Sequence, residues 1–299
     1  MTGAGLPRVG ILGFGRMARA ITERLVERGL VPLIWNRTPG RTAGIVGLRE
    51  ASSPADLAKQ CDVILVIVRD EAAMRHVYGG TFGLAAADLH GKFVVEMSTA
   101  AISAVLAALS LAASAGAEVV DAPLSGSVIP ARQGELMVMA GGDASAVEKL
   151  RPVLDLFARR VVHVGPLGAG ITMKLVLNVP LASYWQLLGE ALGLGVRHGL
   201  ALDEMLSVIA DSKASVGALP GKIDRILDPS LPPEFDLAGM HKDLIAMCDS
   251  AEAVGHAMPS CSAAMHSAGR AVSAGWGERD LAQLVRFAAA EPEPSGVLP

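Results

Sequence analysis

Through its first 165 residues this chain alternates short, continuously apolar runs with helix-like patterns, and no other feature restricts its fold as strongly. Arg8–Leu12, Val31–Trp35, Val63–Val68, Phe93–Glu96, Val119–Leu124, Leu136–Ala140 and Val161–Val164 read as strands. Apolar runs without polar alternation fit strands buried on both faces. Between them Met17–Arg28, Pro54–Gln60, Glu71–Tyr78 and Ala146–Phe157 read as helices. Alternation of this kind builds a doubly wound α/β domain with right-handed crossovers.

After Gly165-Pro166 the strand signal stops. Ile171–His198 follows a helical pattern that Pro180 should kink. Leu202–Ala210, Leu237–Val254, Ser260–Ala274 and Arg279–Ala290 continue it. The expected organisation is an α/β domain over 1–165, an all-helical domain over 166–290 and a Pro/Glu/Gly-rich, disordered tail over 291–299.

Composition narrows the function classes. Half the chain is hydrophobic but only 4% is aromatic, so Ala, Val, Leu and Gly do the packing. A net charge of −4, without a basic cluster, argues against nucleic acid as a partner. Cys61, Cys248 and Cys261 are scattered singly, and the histidines form no metal-ligand spacing, so a reduced cytoplasmic protein without a metal is expected. Met97–Ala117 is uncharged, but its Ala/Ser composition reads as strand end, turn and buried helix, not as a membrane span. A strand beginning by Arg8 leaves no room for a signal peptide.

Gly13-Phe14-Gly15-Arg16-Met17-Ala18 follows the first strand and opens a helix. The G-x-G-x-x-A pattern permits a tight turn whose N–H groups approach a pyrophosphate, which makes the first domain a Rossmann-type dinucleotide binder. The second strand then ends in Asn36-Arg37-Thr38, with Arg41 close behind, where an NAD-binding chain would usually carry an acid. A guanidinium matches a 2′-phosphate, so NADP(H) is expected over NAD(H). Val68, ending the next strand, belongs with the cofactor residues.

Two further strand ends carry hydroxyls: Glu96-Met97-Ser98-Thr99 and Asp121-Ala122-Pro123-Leu124-Ser125-Gly126-Ser127. A Ser-Gly-Ser turn suits a carboxylate, although an ordinary turn would read the same way. Lys174 and Asn178, four residues apart, share one helix face just after Gly168-Ala169-Gly170. Taken alone, Lys174 reads either as a snorkelling lysine on an apolar helix or as a partly desolvated acid/base.

Together these motifs resemble the β-hydroxyacid dehydrogenase family, in register from about residue 8 to 287. Lys242-Asp243-Leu244, Gly255, Pro259, Gly275 and Asp280 match its C-terminal pattern. The resemblance implies a Rossmann-type domain joined by a long helix to an all-α domain, acting on a small carboxylate substrate; the apolar Leu181–Leu194 face of the long helix needs covering, so a homodimer or higher homo-oligomer is expected. The resemblance also implies that Lys174 is the general acid/base and that Asn178 orients the substrate or the lysine. Ser125, Gly126, Ser127 and Thr99 would hold the substrate's carboxylate. Lys242 would lie beside nicotinamide and substrate, with Phe235 and Asp243 lining the cleft.

Ser125-Gly126-Ser127 followed by Pro130 departs from the more usual Ser-Gly-Gly and is similar to the glyoxylate/succinic semialdehyde reductase branch. Val179 stands where many members carry a second Asn. Val128, Ile129 and Arg132 look particular to this chain, with no selectivity assigned. Related imine reductases usually carry Asp or Tyr at the position of Lys174, and a non-catalytic NADP-binding module would tend to lose it. Retention of Lys174 therefore favours carbonyl reduction.

Overall fold

The computed structural model describes residues 6–290, so the tail expected over 291–299 lies outside the described residues. The sheet half comprises β1 (Val9–Leu12), α1 (Arg16–Glu27), β2 (Leu33–Trp35), β3 (Arg49–Glu50), α2 (Pro54–Gln60), β4 (Val63–Val66), α3 (Glu71–Gly79) and β5 (Phe93–Glu96). It continues with α4 (Ile102–Ser114), β6 (Glu118–Asp121), β7 (Leu124–Ser125), α5 (Val128–Gln133), β8 (Leu136–Gly141), α6 (Ala144–Leu154) and β9 (Ala158–Gly165). The helical part follows as α7 (Ala169–Arg197), α8 (Leu202–Ala210), α9 (Ile223–Leu227), α10 (Leu237–Glu252), α11 (Pro259–Ala271) and α12 (Gln283–Ala290).

The strands form one sheet in the order β3-β2-β1-β4-β5-β6-β8-β7, with β9 also on β8. Every neighbour from β3 to β6 is parallel, whereas β8 runs antiparallel to β6 and β7. The apolar runs are buried on both faces, as a doubly wound sheet requires. Val9, Ile11, Val63 and Leu65 share a core with Ala18, Ile21 and Leu25 of α1. On the other face Gly10 backs onto α2, and a Cβ there would stand 2.8 Å from Leu57 Cγ. The uncharged Met97–Ala117 stretch becomes β5's exit and α4, which buries Val105, Ala108, Leu109 and Ala112. Among the described residues no helix is long and apolar enough to cross a membrane.

The chain divides into two compact units, Met1–Val176 and Leu177–Pro299. About two turns of α7 therefore stay with the sheet, past the 165/166 boundary expected from the end of the strand signal. The helix runs through Pro180 without interruption.

Within the second unit α7 approaches α12 closely, because Gly189 lets Ala288 come within 2.7 Å of where a Cβ would stand. Leu206, Ile226, Leu237, Leu244, Leu284 and Val285 are fully buried. Lys222 is buried too, with its ammonium 2.8 Å from Asp280 and 3.1 Å from Glu234; Arg225 lies 3.2 Å from Glu234. Cys248 and Cys261, single along the sequence, meet across α10 and α11 with Sγ atoms 3.8 Å apart.

Candidate functional site

The first βα turn is built from backbone constraints. Gly13 has φ +93°, and a Cβ there would collide with the Ile67 carbonyl, so no other residue fits. Its N–H donates to Trp35 O at 2.8 Å. Gly15 opens α1, and a Cβ on it would meet nothing within 4 Å. Nothing inside the protein therefore demands a glycine there, whereas the close approach of a pyrophosphate would. Arg16 is exposed at the first position of a helix with no acid in its first turn, a placement that an anion would favour. Phe14 is buried in the core and Met17 packs against it, so the side chains of this loop serve the fold.

Asn36 makes two internal hydrogen bonds. Its Oδ1 accepts the Phe14 N–H at 3.0 Å and its Nδ2 donates to Thr38 O at 2.8 Å. It thereby ties the glycine turn to the loop that exposes Arg37, Thr38 and Arg41. Glu50, from the unexpected strand β3, braces that loop again: it accepts from Thr42 Oγ1 at 2.6 Å and from Gly40 N at 3.3 Å. The Thr42 hydroxyl chiefly holds the Glu50 carboxyl below its usual range. Arg19, on α1, reaches the Ala43 carbonyl. It also pairs at 3.0 Å with Glu23, whose other oxygen lies 2.7 Å from Arg132 of α5. Arg132 therefore docks α5 on α1.

The ends of β4 and β5 are joined by a buried polar chain. Val68 N–H donates to Ser98 Oγ at 2.9 Å, and Ser98 N–H donates to Glu96 Oε1 at 2.8 Å. Tyr78 Oη donates to Glu96 Oε2. Burial pushes the Glu96 carboxyl up to about 7, against the opposing hydrogen bonds from Ser98 and Tyr78. Thr99 follows, half-buried. Sequence reasoning gave Glu96 no role, although an acid closing a doubly buried strand was the available signal.

Beyond β6, Ser125 pairs with Met137 of β8 and stays half-buried. Gly126 has φ +129° and Leu136 Cδ2 lies 2.7 Å from where its Cβ would stand. Ser127 is the N-cap of α5 without a side-chain cap bond. The Asp121 carboxylate, fully buried, accepts Gly168 N–H at 2.7 Å and Ile171 N–H at 2.6 Å. Lys174 is half-buried one turn later, between buried Ile171 and Leu175, while Met173 and Val176 are exposed.

In the second unit Asn178 is half-buried on the same helix, α7. Asp236 caps α10 through Gly239 N–H at 2.7 Å, and the preceding Phe235 carbonyl accepts Leu281 N–H at 2.9 Å. Lys242 lies 2.6 Å from the carboxylate of its neighbour Asp243, which is buried. The sequence placed both beside a cofactor and did not foresee that they would pair.

Residues 8–165 match the family described as the NAD binding domain of 6-phosphogluconate dehydrogenase. Residues 168–288 match the NAD-binding family of NADP-dependent 3-hydroxyisobutyrate dehydrogenase. Glyoxylate/succinic semialdehyde reductase 1 of Arabidopsis thaliana is 29% identical over 279 residues, 93% of this chain and 96% of that one. 2-(Hydroxymethyl)glutarate dehydrogenase of Eubacterium barkeri is 28% identical over 284 residues, 93% and 94% of the two chains. The solved structure of Mycobacterium tuberculosis 3-hydroxyisobutyrate dehydrogenase with L-serine superimposes at a TM-score of 0.82 and 27% identity, over 94% of this chain and 99% of that one.

Proposed function

This chain belongs to the β-hydroxyacid dehydrogenase family, and we propose that it uses NADPH to reduce a small aldehyde- or keto-acid to the hydroxyacid. The observation that carries this reading is the convergence of strand ends. Parallel β1, β4, β5 and β6 run out into Gly13, Val68, Thr99 and the Ser125–Ser127 turn at one edge of the sheet. Ligands of open α/β sheets bind at that edge.

Gly13, Phe14, Gly15, Arg16 and Met17 form the turn that would take the pyrophosphate at the start of α1. Asn36 shapes the adjoining loop so that Arg37 and Thr38, with Arg41, present a guanidinium-rich face to a 2′-phosphate. When bound, the nicotinamide supplies the hydride. Ser125 Oγ, the Gly126 N–H, Ser127 and Thr99 would hold the substrate's carboxylate and fix its carbonyl. The Lys174 ammonium would give its proton to the carbonyl oxygen as negative charge develops there, and take it back in the oxidative direction. Asn178, one turn further along the same helix, would orient that exchange. The resemblance to the glyoxylate/succinic semialdehyde reductases favours short semialdehyde acids. Exposed Leu187, Leu194 and Val208 on α7 and α8 support a homo-oligomeric reading.

The test is NADPH oxidation by wild type and Lys174→Ala with glyoxylate, succinic semialdehyde and related short oxo-acids. Turnover by wild type, and a loss of about 100-fold or more in the variant, is expected. Full activity in Lys174→Ala would sink the proton-donor assignment.

A further inference from the structure

Asp121 is a carboxylate with no exposure at the last position of β6. It lies in a slot that two glycines leave open. A Cβ on Gly141 would stand 2.5 Å from Asp121 Oδ1, and one on Gly170 would stand 2.8 Å from Oδ2. Burial pushes its pKa up, and the N–H donors of Ile171 and Gly168 oppose that shift.

Helix starts need their first N–H groups satisfied, and a local residue usually does so. Ser53, Asp70, Asp143 and Asp236 cap α2, α3, α6 and α10 from the position just before each helix. The start of α7 is held instead by a side chain 47 residues before Gly168. A cap from that distance does more than satisfy donors, because it fixes where the helix begins relative to β6. Its negative charge also suits the positive end of the helix.

Two things leave from this one residue. Its main chain runs on through Ala122 and Pro123 to Ser125 and Gly126, and its side chain grips the turn that precedes Lys174. Resting on the reading of Lys174 as proton donor and of the Ser125 turn as carboxylate holder, we infer that Asp121 is a positioning residue that sets the two against each other. It touches neither substrate nor proton, and it acts through Lys174.

A double-mutant cycle on the full chain tests this, using NADPH and the fastest acid of the panel above. Asp121→Asn keeps the side chain's size but turns an NH2 toward one of its two N–H donors. A misplacement of that kind should lower kcat by about 100-fold. KM, and the NADPH Kd read by fluorescence titration, should stay within about twofold. In the Lys174→Ala background the same change should cost less than about threefold. A merely structural role would lower kcat by the same factor in both backgrounds, and that result overturns the inference. Wild-type kcat in Asp121→Asn beside a crippled Lys174→Ala overturns it as well. Undiminished turnover in Lys174→Ala strikes instead at the reading of Lys174 on which the inference rests. Should Asp121→Asn fail to bind NADPH, Asp121→Ser keeps an acceptor, relieves the slot and carries the same cycle.

Discussion

The Tyr78 hydroxyl of α3 donates to the Glu96 carboxyl group at the end of β5 at 2.9 Å, where neither side chain reaches solvent. Burial raises the Glu96 pKa from 4.5 to about 7. Between those values the folded chain holds a proton that the unfolded chain has released. Its contribution is therefore complete below about pH 4.5 and lost as pH rises through about 7, an effect of up to about 3 kcal/mol. Glu96→Gln mimics the protonated acid: its oxygen can accept from Ser98 N–H while its amide donates to Tyr78. The variant should flatten the fall in Tm between pH 5 and pH 8. Parallel Tm profiles for the two proteins would contradict this account.

Gly13 and Gly15 should separate folding from binding. At φ +93° and against the Ile67 carbonyl, Gly13→Ala is expected to cost about 2 kcal/mol or more of stability. Gly15→Ser meets open space and supplies an N-cap oxygen, so its Tm should be unchanged or slightly higher. Its NADPH affinity should nevertheless drop, because the added side chain stands where the pyrophosphate must approach. Unchanged NADPH binding by calorimetry would remove Gly15 from the cofactor site.

Asn36→Asp keeps the acceptor for Phe14 N–H but loses the donor to Thr38 O and adds a charge beside Arg37. The ratio of NADH to NADPH dissociation constants should fall by about tenfold or more. Arg37 is exposed, so Arg37→Ala should change the same ratio with no change in Tm. Equal loss of both cofactors in either variant would count against a 2′-phosphate site in this loop.

Asp280→Ala leaves the buried Lys222 ammonium with Glu234 as its remaining acid. It also removes the acceptor for Glu234 N–H, at the segment that leads into Phe235 and α10. Removing one partner of a buried ion pair is expected to cost about 3 kcal/mol. Chemical denaturation followed by tryptophan fluorescence checks it. A loss under about 0.5 kcal/mol would mean that the network is dispensable.

What could be read in the chain beforehand was local. Continuous apolar runs located β1, β4 and β5 because burial on both faces leaves a mark on every residue. β3 went unseen because it is two exposed charged residues, and α5 because Pro130 stands inside it and Ser-Gly-Ser before it resembles a loop. Gly13 and Gly15 were legible as a motif, yet only the surroundings of each in the fold separate the one it requires from the one it does not. Asp121 and the Lys222–Asp280 pair were illegible for one reason: the paired residues lie 47 to 58 positions apart, and such pairings leave no periodicity. For Asn36, the internal hydrogen bonds of its amide to Phe14 and Thr38 left no mark in the sequence.

Glu23 has one oxygen on Arg19 and the other on Arg132, and Arg19 also holds the Ala43 carbonyl. The loop that follows Arg37 and the helix that follows Ser127 are thus wired to one shared acid on α1. If the proposed NADPH and substrate sites hold, any linkage through Glu23 must be reciprocal: whatever factor NADPH changes in substrate affinity, the substrate must change in NADPH affinity. The link is made of half-exposed pairs, so the cooperativity it carries should be about 1 kcal/mol or less. Glu23→Gln should reduce any coupling between NADPH and substrate binding by no more than about fivefold, measured as the change in each affinity with the other ligand present, while leaving each site intact.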